Sequence, residues 1–236
     1  MAKRILWRPS SPHLSVFSSI QKWLLALIFF VATASYALNQ VMLDFSRFYN
    51  AVSSEYGEQR GRLAKTWQTT LEQMQGMSDL QKLQEANTFV NKVVYYQSDM
   101  SNNRVADHWS SLAETFGKGV GDCEDYAIAK YVTLRLAGVA DEHLRLIYVK
   151  AFYAGRTQAH MVLGYYATPD AMPLILDNLI GEVKPASQRS DLNPVFSFNS
   201  RGLWAGLSKA TTSNPMARLS RWQQVVTKLK QEGISL

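Results

Sequence analysis

A chain of 236 residues, 47% of them hydrophobic and 19% charged, can bury one sizeable core and does not have a disordered composition. Its net charge of +6 is largely a property of the N-terminus: Lys3, Arg4, Arg8 and Lys22 all precede the first acidic residue, Asp44, leaving 21 basic against 19 acidic residues beyond position 37. That distribution, with no zinc-finger, RRM or basic-stripe pattern, speaks against a nucleic-acid partner.

Residues 23–34 form an apolar run behind the basic segment, and small residues offer cleavage after Ala34 or Ala37. This predicts an export signal over 1–37. The run falls short of the ~20 residues of a comfortable spanning helix. The length of the basic segment keeps an uncleaved anchor, and with it membrane proximity, as the alternative.

From Tyr56 to Met74 the apolar residues Leu63, Trp67, Leu71 and Met74 recur at helical spacing, and Gly76 ends that helix. Ser78 to Gln81 fits a capping box for a second helix, whose face runs Leu83, Ala86, Phe89, Val90, Val93 and Val94. Gln97 to Asp107 is polar and irregular, with Asp99, Asn102, Asn103 and Asp107. Residues 116–121 then make a flexible, Gly-rich approach to Asp122-Cys123-Glu124-Asp125, where a helix begins that Gly138 closes. Residues 144–153 and 159–166 predict a β-hairpin turning at Gly155-Arg156-Thr157, and 174–179 a third strand. Residues 181–206 read as irregular structure with short strands. A last helix starts at Asn214-Pro215, with Met216, Leu219, Trp222, Val226 and Leu229 on one side and Arg218, Arg221, Lys228 and Lys230 as a solvated flank. Helices, a Cys-bearing helix and then an antiparallel sheet make an α+β fold. The expected organisation is a signal over 1–37, one domain over 38–212 and a basic C-terminal helix over 213–236.

Cys123 is the only cysteine, so no disulfide can form within the chain. With Asp122 as N-cap, the sulfur falls in the first helical turn, where backbone N–H groups and the helix dipole favour a thiolate and could hold an oxyanion. Asp122, Glu124 and Asp125 oppose that ionisation. A hard cation with oxygen ligands, such as Ca²⁺, would neutralise them. Acidic residues in a first helical turn are also ordinary dipole complements, and free cysteines are often simply buried, so the stretch alone decides nothing. Of the four histidines, His13 falls in the signal, His108 has no evident orienter and His143 sits between helix and strand. His160 lies on a predicted strand, with Asp177 on the next. A cysteine nucleophile, an imidazole base and an orienting carboxylate in that order form a triad of the papain and transglutaminase kind.

The stretches 121–131, 158–163 and 176–179, then Pro185-Ala186-Ser187-Gln188-Arg189 and Gly202-Leu203-Trp204, together resemble the bacterial transglutaminase-like cysteine proteases, the LapG-like group. The resemblance covers roughly Tyr56 to Trp204. It implies a papain/transglutaminase-like fold, with Cys123 as nucleophile, His160 as general base and acid, Asp177 as orienting carboxylate, and a Ca²⁺ site at Asp122, Glu124 and Asp125. It further implies a periplasmic protease that cuts a large surface adhesin near its N-terminus at a paired-alanine sequence, dispersing biofilm. An inner-membrane cyclic di-GMP receptor of the LapD type would sequester it. Acyl transfer to an amine, through the same acyl-enzyme, and a non-catalytic adhesin- or receptor-binding module are the alternatives.

Overall fold

A computed structural model of the chain describes residues 41–105, 107–206 and 214–236, together with Trp23. The export signal expected over 1–37 lies outside the described residues apart from Trp23. The fold belongs to the unit Val41–Leu236.

After a two-residue strand β1 (Met42–Leu43), Asp44 caps helix α1 (Phe45–Tyr56) by accepting from the Arg47 N–H at 3.1 Å. The sequence reading began its first helix at Tyr56 and passed over this one. Gly57, at φ +88°, separates α1 from α2 (Glu58–Met74), which buries Ala64, Trp67, Leu71 and Met74 and leaves Leu63 at the margin. The Ser78–Gln81 capping box opens α3 (Asp79–Val93), whose Leu83, Ala86, Phe89 and Val90 are buried. A short β2 (Tyr95–Tyr96) and α4 (Asp99–Asn102) lead to α5 (Leu112–Lys118).

The Gly-rich run read as flexible is packed instead. Gly119 turns the chain at φ +71°, and a Cβ there would lie 2.3 Å from the Arg60 guanidinium. Gly121 ends β3 (Val120–Gly121), parallel to β2, and a Cβ at that position would meet the Asp125 carboxylate at 2.7 Å. These glycines admit close neighbours rather than motion.

Helix α6 (Cys123–Leu136) is the centre of the molecule. Every residue from Asp125 to Arg135 is buried, so its whole circumference is covered, by α3 and α5 on one side and the sheet on the other. The sheet has six antiparallel strands in the order β7-β6-β5-β4-β8-β9. Its spine is the hairpin β4 (Leu144–Tyr153) and β5 (Arg156–Tyr165), paired without interruption from Leu144↔Tyr165 to Tyr153↔Arg156. The turn is Ala154-Gly155, both at positive φ, one residue earlier than expected. Strand β6 (Leu174–Leu176) pairs with β5 and stops just before Asp177, followed by β7 (Lys184–Pro185). Beyond β4 lie β8 (Leu192–Phe198) and β9 (Leu203–Ala205). The sequence reading allowed only short strands in irregular chain over 181–206, and β8 carries a proline, Pro194, within it. The strand accommodates it opposite Val149, where the register shifts.

The C-terminal helix is broken at Leu219 into α7 (Pro215–Arg218) and α8 (Ser220–Gln231). Trp222, Val225 and Leu229 belong to the main core. The Trp222 ring meets Tyr131 and Phe198 edge-on, with centroids 5.7 and 5.5 Å apart. Two of its basic residues reach back to the body: Lys228 Nζ to Glu114 at 2.9 Å and Arg221 to Asp107 at 3.0 Å. Strand β10 (Ile234–Ser235) then pairs antiparallel with β1, joining the two ends of the unit.

Truncating a fully buried tryptophan removes its contacts and leaves a cavity. Trp222→Ala is therefore expected to cost about 3–5 kcal/mol of stability by urea titration, and exposed Lys230→Ala within about 0.5 kcal/mol of zero.

Candidate active site

Cys123 opens α6. Its N-cap, Asp122, forms a reciprocal capping box with Asp125, so the first turn is fixed by side chains three residues apart. The sulfur is half-buried, and its thiol donates to Glu124 Oε2 at 2.9 Å. Burial first, and then the Glu124 and Asp122 carboxylates, push the thiol well above its ordinary range. The backbone N–H of Met161, the residue after His160, acts the other way by donating toward the sulfur. The expected gain from the helix N-terminus is thus outweighed in this all-carboxylate setting.

His160 and Asp177 are brought together on neighbouring elements. His160 sits on β5, opposite Val149 of β4, and Asp177 follows β6. Nε2 of His160 and Oδ1 of Asp177 are 2.8 Å apart, and the two residues are 3% and 1% exposed. Asp177 is itself held. The Leu179 N–H donates to Oδ1 at 3.0 Å, and Arg189 Nη2 donates to Oδ2 at 2.6 Å. Arg189 is fixed in turn by Asp191, at 3.0 Å through Nε and 2.8 Å through Nη2. Burial alone would raise the Asp177 carboxyl; the hydrogen bond and charge of His160, with the Leu179 and Arg189 donors, outweigh it and bring it down to about 2. The other described histidines are engaged elsewhere. His143 Nδ1 meets the Tyr166 carbonyl at 2.5 Å, and His108 Nε2 lies 3.5 Å from Glu114.

Around the first turn of α6 the acidic residues gather into one cluster. Oxygens of Asp99, Asp122 and Asp125 lie within 4.8 Å of one another, as do those of Asp99, Asp107 and Glu124, and Asp122, Cys123 and Glu124 form a third such group. Burial, then Asp99, pushes Asp122 up to about 6; burial, then Asp122, pushes Glu124 up to about 8; burial pushes Asp125 up to about 7. Asp125 accepts from the Ser110 N–H at 2.8 Å and the Asp122 N–H at 3.3 Å. Asp122 Oδ1 is buried without a hydrogen-bond partner. A buried orphan acceptor amid converging carboxylates fits a hard cation: oxygens in a Ca²⁺ shell of ~2.3–2.6 Å lie no more than about 5 Å apart.

The model of the bacterial transglutaminase-like cysteine proteinases matches residues 48–201. The chain belongs to this family. Among solved structures it is similar to LapG of Legionella pneumophila. The EGTA-treated form is 32% identical, with a TM-score of 0.70 over 80% of this chain and 98% of that one. The calcium-bound form is 33% identical, with a TM-score of 0.66 over 77% and 97%. No curated protein matches the sequence significantly. The expected α+β, papain/transglutaminase-like architecture is thus the fold of this cysteine-protease family member.

Within that family fold, three residues of the site escaped the sequence reading. Asp99 and Asp107 stood in the polar stretch already marked as irregular, but nothing local showed that it folds back onto α6. Arg189 lay inside a quoted family motif without a role. Its placement behind Asp177 depends on β7 and the following 3₁₀ turn, which short-range patterns do not encode.

Because Asp177 ionises more readily in the folded chain than at its ordinary value of 3.8, its stabilisation is complete above about pH 4 and is lost as pH falls toward 2. Asp177→Asn is expected to remove about 2–3 kcal/mol of that acid-dependent stability, read as a flatter pH dependence of urea unfolding between about pH 5 and 2.

Proposed function

We propose that this protein is a calcium-dependent, exported cysteine endopeptidase. Its substrate in this reading is the N-terminal region of a large surface adhesin, cut at a paired-alanine site in the periplasm so that the adhesin is released and biofilm disperses. An inner-membrane cyclic di-GMP receptor of the LapD type is its expected regulator. The reading is supported by the family membership, by the likeness to calcium-bound and EGTA-treated LapG, and above all by the His160–Asp177 hydrogen bond of 2.8 Å. With Nε2 turned to Asp177, Nδ1 is the ring atom left to serve a thiol.

In this mechanism His160 takes the Cys123 proton, and the sulfur attacks the peptide carbonyl. Asp177, held by Arg189, fixes the tautomer and stabilises the imidazolium. The backbone N–H of Cys123 at the start of α6 donates to the oxyanion. The imidazolium returns its proton to the departing amine, and water, deprotonated by His160, cleaves the thioester. Asp122, Glu124 and Asp125, with Asp99 and Asp107, would hold the cation. Ca²⁺ there would supply positive charge against the carboxylates that crowd the sulfur.

The test incubates the protein with the N-terminal region of a large adhesin from the same cell and follows cleavage by gel. Cys123→Ala and His160→Ala are each expected to lower the rate by about 10³-fold or more. Chelation should abolish cleavage, and Asp122→Asn with Glu124→Gln should mimic it. Cleavage by Cys123→Ala would sink the nucleophile assignment, and undiminished cleavage in chelator would sink the calcium requirement.

A further inference from the structure

The sheet face turned away from α6 carries a second, smaller apolar cluster of Ile147, Val149, Ala151, Val162 and Ile175. It borders a cavity of about 410 Å³, in the range of small-molecule sites. Two arginines line this largely apolar space, Arg145 from β4 and Arg189 from beyond β7, and Asp170 and Ser187 also stand on its wall. The arginines are 7% and 2% exposed, and each keeps one buried N–H group without an acceptor: Nε of Arg145 and Nη1 of Arg189.

Neither side chain is placed to turn that donor to bulk water. The Arg145 guanidinium lies over the rings of Tyr166 and Trp204, at 4.4 and 4.1 Å. Arg189 is clamped by Asp177 and Asp191. A buried donor left unpaired is costly, and two of them on residues that line one cavity call for an acceptor inside it.

We propose that the cavity is a binding site for a small apolar carboxylate. Its oxygens accept from Arg145 Nε and Arg189 Nη1, and its apolar body lies against Ile147, Val162 and Ile175. A carboxylate suits the pair because it offers two acceptor oxygens, and bonds between ionised partners are about twice as strong as neutral ones. A fatty acid and the C-terminus of an apolar peptide share this chemistry. The site also connects to the imidazole: the Arg189 guanidinium, whose Nη1 has no acceptor, donates through Nη2 to Asp177, which holds His160. Binding at the cavity therefore redistributes the hydrogen bonding of Arg189 and is felt at His160.

Calorimetric titration of the full-length protein with decanoate and with N-acetyl-leucyl-phenylalanine, each beside its primary amide, tests the site. At least one acid should bind saturably and about tenfold or more tightly than its amide, and the acid that does so identifies the source. Arg145→Gln, first checked for a cooperative thermal transition, should lose that preference. Failure of both acids to bind, equal binding of acid and amide, or an unchanged preference in Arg145→Gln would each overturn the proposal. The link to His160 is read from its ring NMR signals, which should shift on saturation with the acid and not with the amide; an unmoved ring overturns the link. None of these readouts involves peptide cleavage, so their failure and that of the protease reading are separately visible.

Discussion

The burial of α6 on all sides is the constraint on which the rest of the structure depends. A helix enclosed from Asp125 to Arg135 cannot slide or rotate without opening the core, so its first turn, with Cys123, is fixed relative to β5. Even Lys130 is enclosed, its amine brought down to about 7 by burial, with the charge of Asp177 acting the other way. The helical layer and the sheet therefore act less as a container than as a jig. One carries the half-buried sulfur of Cys123, the other the hydrogen-bonded pair of His160 and Asp177.

The sheet achieves the same precision through layered hydrogen bonding. His160 is oriented by Asp177, Asp177 by Arg189 and a backbone donor, and Arg189 by Asp191. Each group in the series is buried or leans on one that is, so little conformational freedom remains to be lost when a substrate arrives. The first turn of α6 is the opposite case. Its carboxylates repel one another, and the capping box and the Ser110 N–H hold Asp122 and Asp125 in place among them. Repulsion kept in place by covalent neighbours is the kind of strain that a cation relieves.

What the sequence disclosed follows from which interactions are local. Helical stripes such as Trp67, Leu71 and Met74, the Ser78 capping box and the alternation of the β4–β5 hairpin are written in residues a few positions apart, and they emerged where expected. The His160–Asp177 contact was legible because the two residues fell on successive predicted strands. Helix α1 was missed because the reading looked for helical spacing only from Tyr56 onward. Strand β8 was read only as short strands in irregular chain, because its seven residues hold together around Pro194 through a register shift set by the partner strand. Asp99, Asp107 and Arg189 depended on chain reversals spanning many residues. No local periodicity records those.

The pairing of β1 with β10 has a consequence in time rather than in space. Met42 and Leu43 find their partners only in Ile234 and Ser235, and the core closes over Trp222 from nearly the same late stretch. A ribosome delivers Met42 and Leu43 long before Ile234 and Ser235, so β1 must wait for β10 before it can settle. Until then the core positions that Trp222, Val225 and Leu229 fill stay open.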